Sequence, residues 1–155
     1  MLKVGDKAPS FEAKATDGRT LSTAALHGKP FVVYFFPKAF TGGCTIETKR
    51  FRDSYPEIQA RGTEVIGVST DDHQTQCDFA ASAQASFPMI GDKTKDICRK
   101  FGVLWPILGL SKRVTFVVDA EGVIRGVFAH EIRVEQHIAD VLSLLETLPK
   151  PAATS

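Results

Sequence analysis

Apolar residues gather along this chain in short, dense runs separated by stretches of helical texture. PFVVYFFP (residues 30–37) is almost unbroken in β-branched and aromatic residues. That is the pattern of a strand buried on both faces, whereas a half-wet strand would alternate. TEVIGVST (63–70) reads as a second buried strand. Between the two, CTIETKRFRDSYPEIQARG turns helical and closes on Gly62, a helix stop. After the second strand, Asp71 or Asp72 is placed to cap a helix over about 72–84. SFPMIGD follows as a strand-like turn, then KTKDICRKFGV as a short helix. FEAKATDGRTLS, ahead of the first dense run, predicts a hairpin turned at Asp17-Gly18, and RVTFVVDAEGVIRGVFA a second one turned at Glu121-Gly122. The last periodic segment, VEQHIADVLSLLETL, sets Val134, Ile138, Val141, Leu142 and Leu145 on one stripe of an amphipathic helix.

Strand–helix–strand units followed by a late antiparallel hairpin and a helix predict an α/β protein with a mixed central sheet flanked by helices on both faces. This is a thioredoxin-like arrangement with an N-terminal β-hairpin extension. A chain of 155 residues suits one domain, expected over 1–148, with PKPAATS (149–155) as a disordered tail. Composition narrows the function classes. A net charge of +1 with dispersed basic residues makes no electrostatic case for nucleic acid or an anionic membrane. The densest basic stretch, KTKDICRK, suits the wet face of a helix. No segment approaches the ~20 apolar residues of a membrane span, and MLKVGDKAPSF has no signal-peptide apolar region. Three widely spaced cysteines, Cys44, Cys77 and Cys98, argue against a secreted disulfide framework, so a cytoplasmic location is expected.

The chemistry concentrates in FFPKAFTGGCTIE (35–47). Cys44 follows a buried strand and a Pro/Gly loop and falls in or near the first turn of a helix. Thiolate is the reactive form, and a helix N-terminus offers unpaired N–H donors and a positive dipole end that favour it. Gly42 and Gly43 let the backbone approach a small ligand and aim N–H groups at it. Thr41 can set a hydroxyl against the sulfur or a substrate oxygen, and Pro37 stiffens the loop entry. Other classes fit poorly. Cys44 and Arg50 have the C-x5-R spacing of a phosphate-binding loop, but the residues between them include Glu47 and read as helix. No Cys-x-x-Cys is present, and His27, His73, His130 and His137 are scattered rather than clustered as metal ligands, so no metal or cofactor is expected. A non-enzymatic module using the apolar LWPILGL (104–110) as a partner surface is the remaining rival; core packing of Trp105, Ile107, Leu108 and Leu110 is the plainer expectation.

Pro37, Thr41 and Cys44 form P-x-x-x-T-x-x-C, and with VGDKAPSF, VIGVSTDD, FPMIGD, RVTFVVDAEGVI and HIADVL in order the chain resembles the peroxiredoxins, in particular their bacterioferritin-comigratory, Q-type branch. The resemblance implies a thiol peroxidase in which Cys44 attacks a peroxide and becomes a sulfenic acid, with Arg113 as the stabilising cation and Glu47 orienting an arginine. It implies a peroxide substrate, thioredoxin, glutaredoxin or glutathione as reductant, and a monomer. Three departures stand out: Gly42 where the family usually has proline, a short apolar LWPILGLSK before Arg113, and Lys49 where many members carry a resolving cysteine. Resolution is thus left to Cys77, on the helix where some relatives place a resolver at the position matched to Ala80, to an external thiol, or to Cys98, whose neighbours Ile97 and Phe101 mark it as a packing thiol.

Overall fold

The computed structural model describes residues 1–129 and 134–148, so His130 and the expected tail over 149–155 lie outside the described residues. The elements follow the predicted order: β1 (Glu12–Lys14), β2 (Thr20–Ser22), β3 (Phe31–Phe35), α1 (Gly42–Ala60), β4 (Glu64–Ser69), α2 (His73–Ser82), β5 (Met89–Gly91), α3 (Asp96–Phe101), β6 (Val114–Val118), β7 (Ile124–Phe128) and α4 (Val134–Thr147). β1 and β2 form a separate antiparallel ribbon. Its loop contains Gly18 at φ +90°, left-handed backbone that glycine adopts without a Cβ clash.

The main sheet runs β5-β4-β3-β6-β7. β3 pairs in parallel with β4 and antiparallel with β6, so the sheet changes character at its central strand. Every residue of β3, β4 and β6 is buried, which explains why the sequence shows dense runs there instead of alternation. The two-residue period sorts β3 into two layers. Val32, Tyr34 and Phe36 pack with Phe51 and Ile58 of α1, Phe79 of α2 and Val141 of α4. Phe31, Val33 and Phe35 pack on the opposite side with Phe101 of α3, Phe116 of β6, Leu21 of β2 and Phe11 just before β1.

Topology decides where the chemistry falls. β3 and β4 are parallel and end at the same edge, while antiparallel β6 begins there, with Val114 paired to Phe35. The β3–α1 loop and the residue just before β6, Arg113, therefore meet at one edge of the sheet. The predicted cap after β4 resolves into two jobs. Asp72 caps α2 by accepting from Thr75 N at 2.8 Å. Asp71 instead reaches back, its Oδ2 accepting from Ala39 N and from Ser69 Oγ, each at 2.7 Å.

Trp105, Ile107 and Leu108 do not pack into the core as expected, although Leu104, at the start of the segment, lies against it. Trp105 N donates to Leu110 O at 2.8 Å and Gly109, at φ +64°, closes the turn. The tip is thereby pushed outward, with Ile107 96% and Leu108 69% exposed, and the ammonium of Lys112 lies 4.8 Å from the centre of the Trp105 ring.

Candidate active site

β3 gives way to the site through Phe36, whose N–H still donates to Val68 O at 3.0 Å, and Pro37, which has no N–H to continue the ladder. The chain then turns sharply. Phe40 takes φ +66°, a left-handed conformation uncommon for a bulky side chain, and its ring stands edge-on to Phe79 of α2 at 5.3 Å. The Asp71 carboxylate holds the preceding Ala39 amide, which fixes this loop to the end of β4. Thr41 is the N-cap of α1 in extended backbone geometry, but its hydroxyl does not cap the helix. Thr41 Oγ1 donates instead to Lys38 O at 2.8 Å, leaving its lone pairs as acceptors. The first helical bond runs from Thr45 N to Thr41 O, so the amides of Gly42, Gly43 and Cys44 come before the ladder. These donors and the positive end of the helix surround the Cys44 position.

Cys44 itself is fully buried, in the layer with Phe36 and Phe51. Across from it, Arg113 uses both arms of its guanidinium. Nη2 donates to Cys44 Sγ at 3.4 Å and Nη1 to Glu47 Oε1 at 2.9 Å. Burial works against the Arg113 charge, but the negative charges of Glu47 and Cys44 outweigh it, so the group is held above its ordinary pKa and remains a cation. Glu47, one turn after Cys44, is also fully buried. Its second oxygen lies 3.7 Å from Nδ1 of His137, and that same nitrogen is 2.7 Å from Thr115 Oγ1. At the next residue of α1, Thr48 Oγ1 shares a hydrogen bond of 3.0 Å with the buried Tyr34 hydroxyl. Burial raises the Tyr34 phenol well above its ordinary range despite that bond, so it stays neutral.

Pro37, Thr41, Cys44, Glu47 and Arg113 are thus assembled at one sheet edge by β3, α1 and β6. Cys77 is not among them. It is half-buried on α2, with Sγ 3.4 Å from Nε2 of His73, and it stands outside the apolar layer that contains Cys44 and Ala80. All three cysteines are free. Cys98 lies in the opposite layer, where burial first and the Asp92 charge second push its thiol far above the usual range. The segment between Cys44 and Arg50 is helix, as its sequence predicts, and cannot wrap a phosphate. Among the described residues, no three His, Cys, Asp or Glu side chains converge as metal ligands, and no helix is long and apolar enough to cross a membrane.

Three residues of this neighbourhood were not legible as part of it. His137 reads in sequence as one of four scattered histidines, at a position on the closing helix that the resembled family often fills with histidine but with no role assigned, Asp71 as a helix cap, and Phe40 as an ordinary loop residue. For Asp71 the sequence itself holds a signal: a second carboxylate at the end of a buried strand, left over once Asp72 caps α2.

Residues 4–127 match the AhpC/TSA family model. Chloroplastic peroxiredoxin Q of Populus jackii is 39% identical over 145 residues, covering 93% of this chain and 68% of the relative. Among solved structures, peroxidoxin BcpB from Mycobacterium tuberculosis superposes with a TM-score of 0.88 at 31% identity, covering 96% of this chain and 99% of the other. Peroxiredoxin Q of Xanthomonas campestris gives 0.80 at 29% identity, over 88% and 89% of the two chains. The chain belongs to the AhpC/TSA family, in its peroxiredoxin Q and bacterioferritin-comigratory branch, and is a thiol peroxidase.

Proposed function

We propose that Cys44 is the nucleophile of this peroxidase and that hydrogen peroxide and organic hydroperoxides are its substrates. The observation that carries the assignment is the Arg113 fork, which contacts Cys44 Sγ with one nitrogen and Glu47 with the other. A fixed cation beside the sulfur favours the thiolate and stabilises charge moving onto the leaving oxygen. The thiolate attacks the terminal oxygen of R–O–O–H; the S–O bond forms as the O–O bond breaks, and the departing oxygen takes a proton to leave as alcohol or water. Cysteine is oxidised to sulfenic acid and the peroxide is reduced. Thr41 Oγ1, with its own hydrogen committed to Lys38 O, accepts from the terminal O–H of the peroxide. The amides at the start of α1 hold the oxygens. Phe40 and Ile46, both about half exposed beside this loop, suit an alkyl substituent. In that respect the related bacterioferritin-comigratory protein of Xanthomonas campestris, described for its alkyl peroxide reduction activity, is a precedent.

For the return half of the cycle we favour an external thiol, glutathione or glutaredoxin with thioredoxin as the alternative, in a reducing compartment such as the cytoplasm. Lys49 stands where a nearby resolver would be, and Cys77 faces His73 outside the Cys44 layer. Intact mass after one equivalent of hydrogen peroxide tests both halves. A gain of one oxygen in wild type, lost in Cys44→Ser, is expected. Loss of two hydrogens that disappears in Cys77→Ser replaces the external thiol with an internal one. Peroxide consumption undiminished in Cys44→Ser ends the assignment.

A further inference from the structure

Glu47 and Arg113 do not close the buried network; α4 does. We infer that His137 is a positioning residue for the peroxidase reaction, acting on Glu47 and through it on the Arg113 guanidinium. The inference rests on the reading of Cys44 as nucleophile and Arg113 as its cation. His137 is fully buried, on the face of α4 that packs into the α1 layer, and Thr115, also fully buried, projects from β6 into the same layer as its pairing partner Tyr34. Nδ1 lies 2.7 Å from Thr115 Oγ1 and 3.7 Å from Glu47 Oε2.

The tautomer follows from electrostatics. A lone pair on Nδ1 would face a buried carboxylate oxygen, so the proton belongs on Nδ1, aimed between the threonine and the glutamate. Among the described residues, charged groups of this network come from α1, β6 and α4. α1 contributes Glu47, the start of β6 contributes Arg113, and on α4 itself Asp140 accepts from Gln136 at 2.8 Å. Arg125 of β7 is turned outward onto Asp119.

One guanidinium serves two anions, Glu47 and the ionised Cys44. The Nδ1–H of His137, bonded to Thr115 Oγ1 and 3.7 Å from the second oxygen of Glu47, acts on that oxygen electrostatically rather than through a hydrogen bond. It steadies the carboxylate while the first oxygen holds Nη1, which leaves Nη2 aimed at the sulfur. It also offsets part of the carboxylate charge that would otherwise oppose thiolate formation. Loss of that N–H should therefore raise the pH at which Cys44 ionises and slow attack on peroxide.

Two replacements separate this role from simple packing. His137→Leu fills the space without a donor, whereas His137→Asn can put an amide N–H near the Nδ1 position. For each variant, the second-order rate constant for hydrogen peroxide is measured by stopped flow across pH. The thiolate absorbance step that vanishes in Cys44→Ser is titrated alongside, with circular dichroism reporting the fold. His137→Leu should lower the rate constant by ~10-fold or more, the scale on which outer-shell hydrogen-bond partners act, and move both midpoints to higher pH. His137→Asn should recover most of the loss. A Leu variant within twofold of wild type with unmoved midpoints overturns the inference, as does an Asn variant as impaired as Leu. If Leu does not fold, Thr115→Val decides, since it keeps shape and removes only the hydroxyl that orients the ring. It should shift the same midpoints upward, and no shift overturns the role. Wild type without a Cys44-dependent step would remove the nucleophile assignment itself, a result distinct from any change at His137.

Discussion

Arg113 is nearly buried and bonded to two groups that are wholly so. A buried pair of this kind is a weak source of net stability, yet removing one partner strands the other charge in a medium that solvates it poorly. Arg113→Ala should therefore cost about 3 kcal/mol in urea unfolding as well as raising the Cys44 thiol pKa and slowing its oxidation. Adding Glu47→Gln to that background should return part of the lost stability but none of the rate. Equal stability of Arg113→Ala and wild type would show that Glu47 does not depend on this cation. The same residues show what a sequence discloses at this scale. Cys44, Thr41 and Arg113 were legible because a thiol, a hydroxyl and a guanidinium have few reasons to share that order. For His137 the resemblance marked a histidine position on the closing helix, but nothing in that helix says what the side chain does. Its meaning comes from Glu47, ninety positions earlier, and Thr115, on another strand.

At the level of elements, the first turn of α1 decides whether the site is preorganised. Gly42 is its first residue, and a Cβ built there would meet nothing within 4 Å. Proline suits that position, since its fixed φ matches the helix and its missing N–H breaks no helical bond. Gly42→Pro should raise stability by about 0.5 kcal/mol, chiefly by restricting the unfolded chain, with a matching rise in Tm. A fall in Tm would mean that the loop before α1 needs the freedom of glycine. Most elements could be read from the sequence because burial on both faces leaves dense apolar runs and because Gly18 and Gly62 punctuate the chain. The 104–110 segment misled because apolarity alone cannot separate a core strand from an exposed turn. The deciding features, a Trp105–Leu110 bond and a left-handed Gly109, are matters of backbone geometry.

Across the whole molecule the three thiols occupy three different surroundings. Cys77 is half-buried on α2, Cys44 is buried in the first turn of α1, and Cys98 is in the layer on the other side of the sheet. A bulky disulfide reagent applied to the native protein should label Cys77 first and Cys44 more slowly. Cys98, buried and held far above the usual thiol pKa, should react only as the protein unfolds. Early labelling of Cys98 would place it nearer the surface than its packing with Phe101 allows. The order also bears on the enzyme at work. Cys44 has no exposed surface, so access to its sulfur should depend on the size of the reagent. On that expectation a peroxide of a few atoms would reach the sulfur past the exposed Thr41 loop, whereas a protein reductant would need the first turn of α1 to fray. Turnover would then keep time with helix opening rather than with bond-making at sulfur. Osmolytes that favour the compact state would slow the cycle while leaving the first oxidation at its full rate.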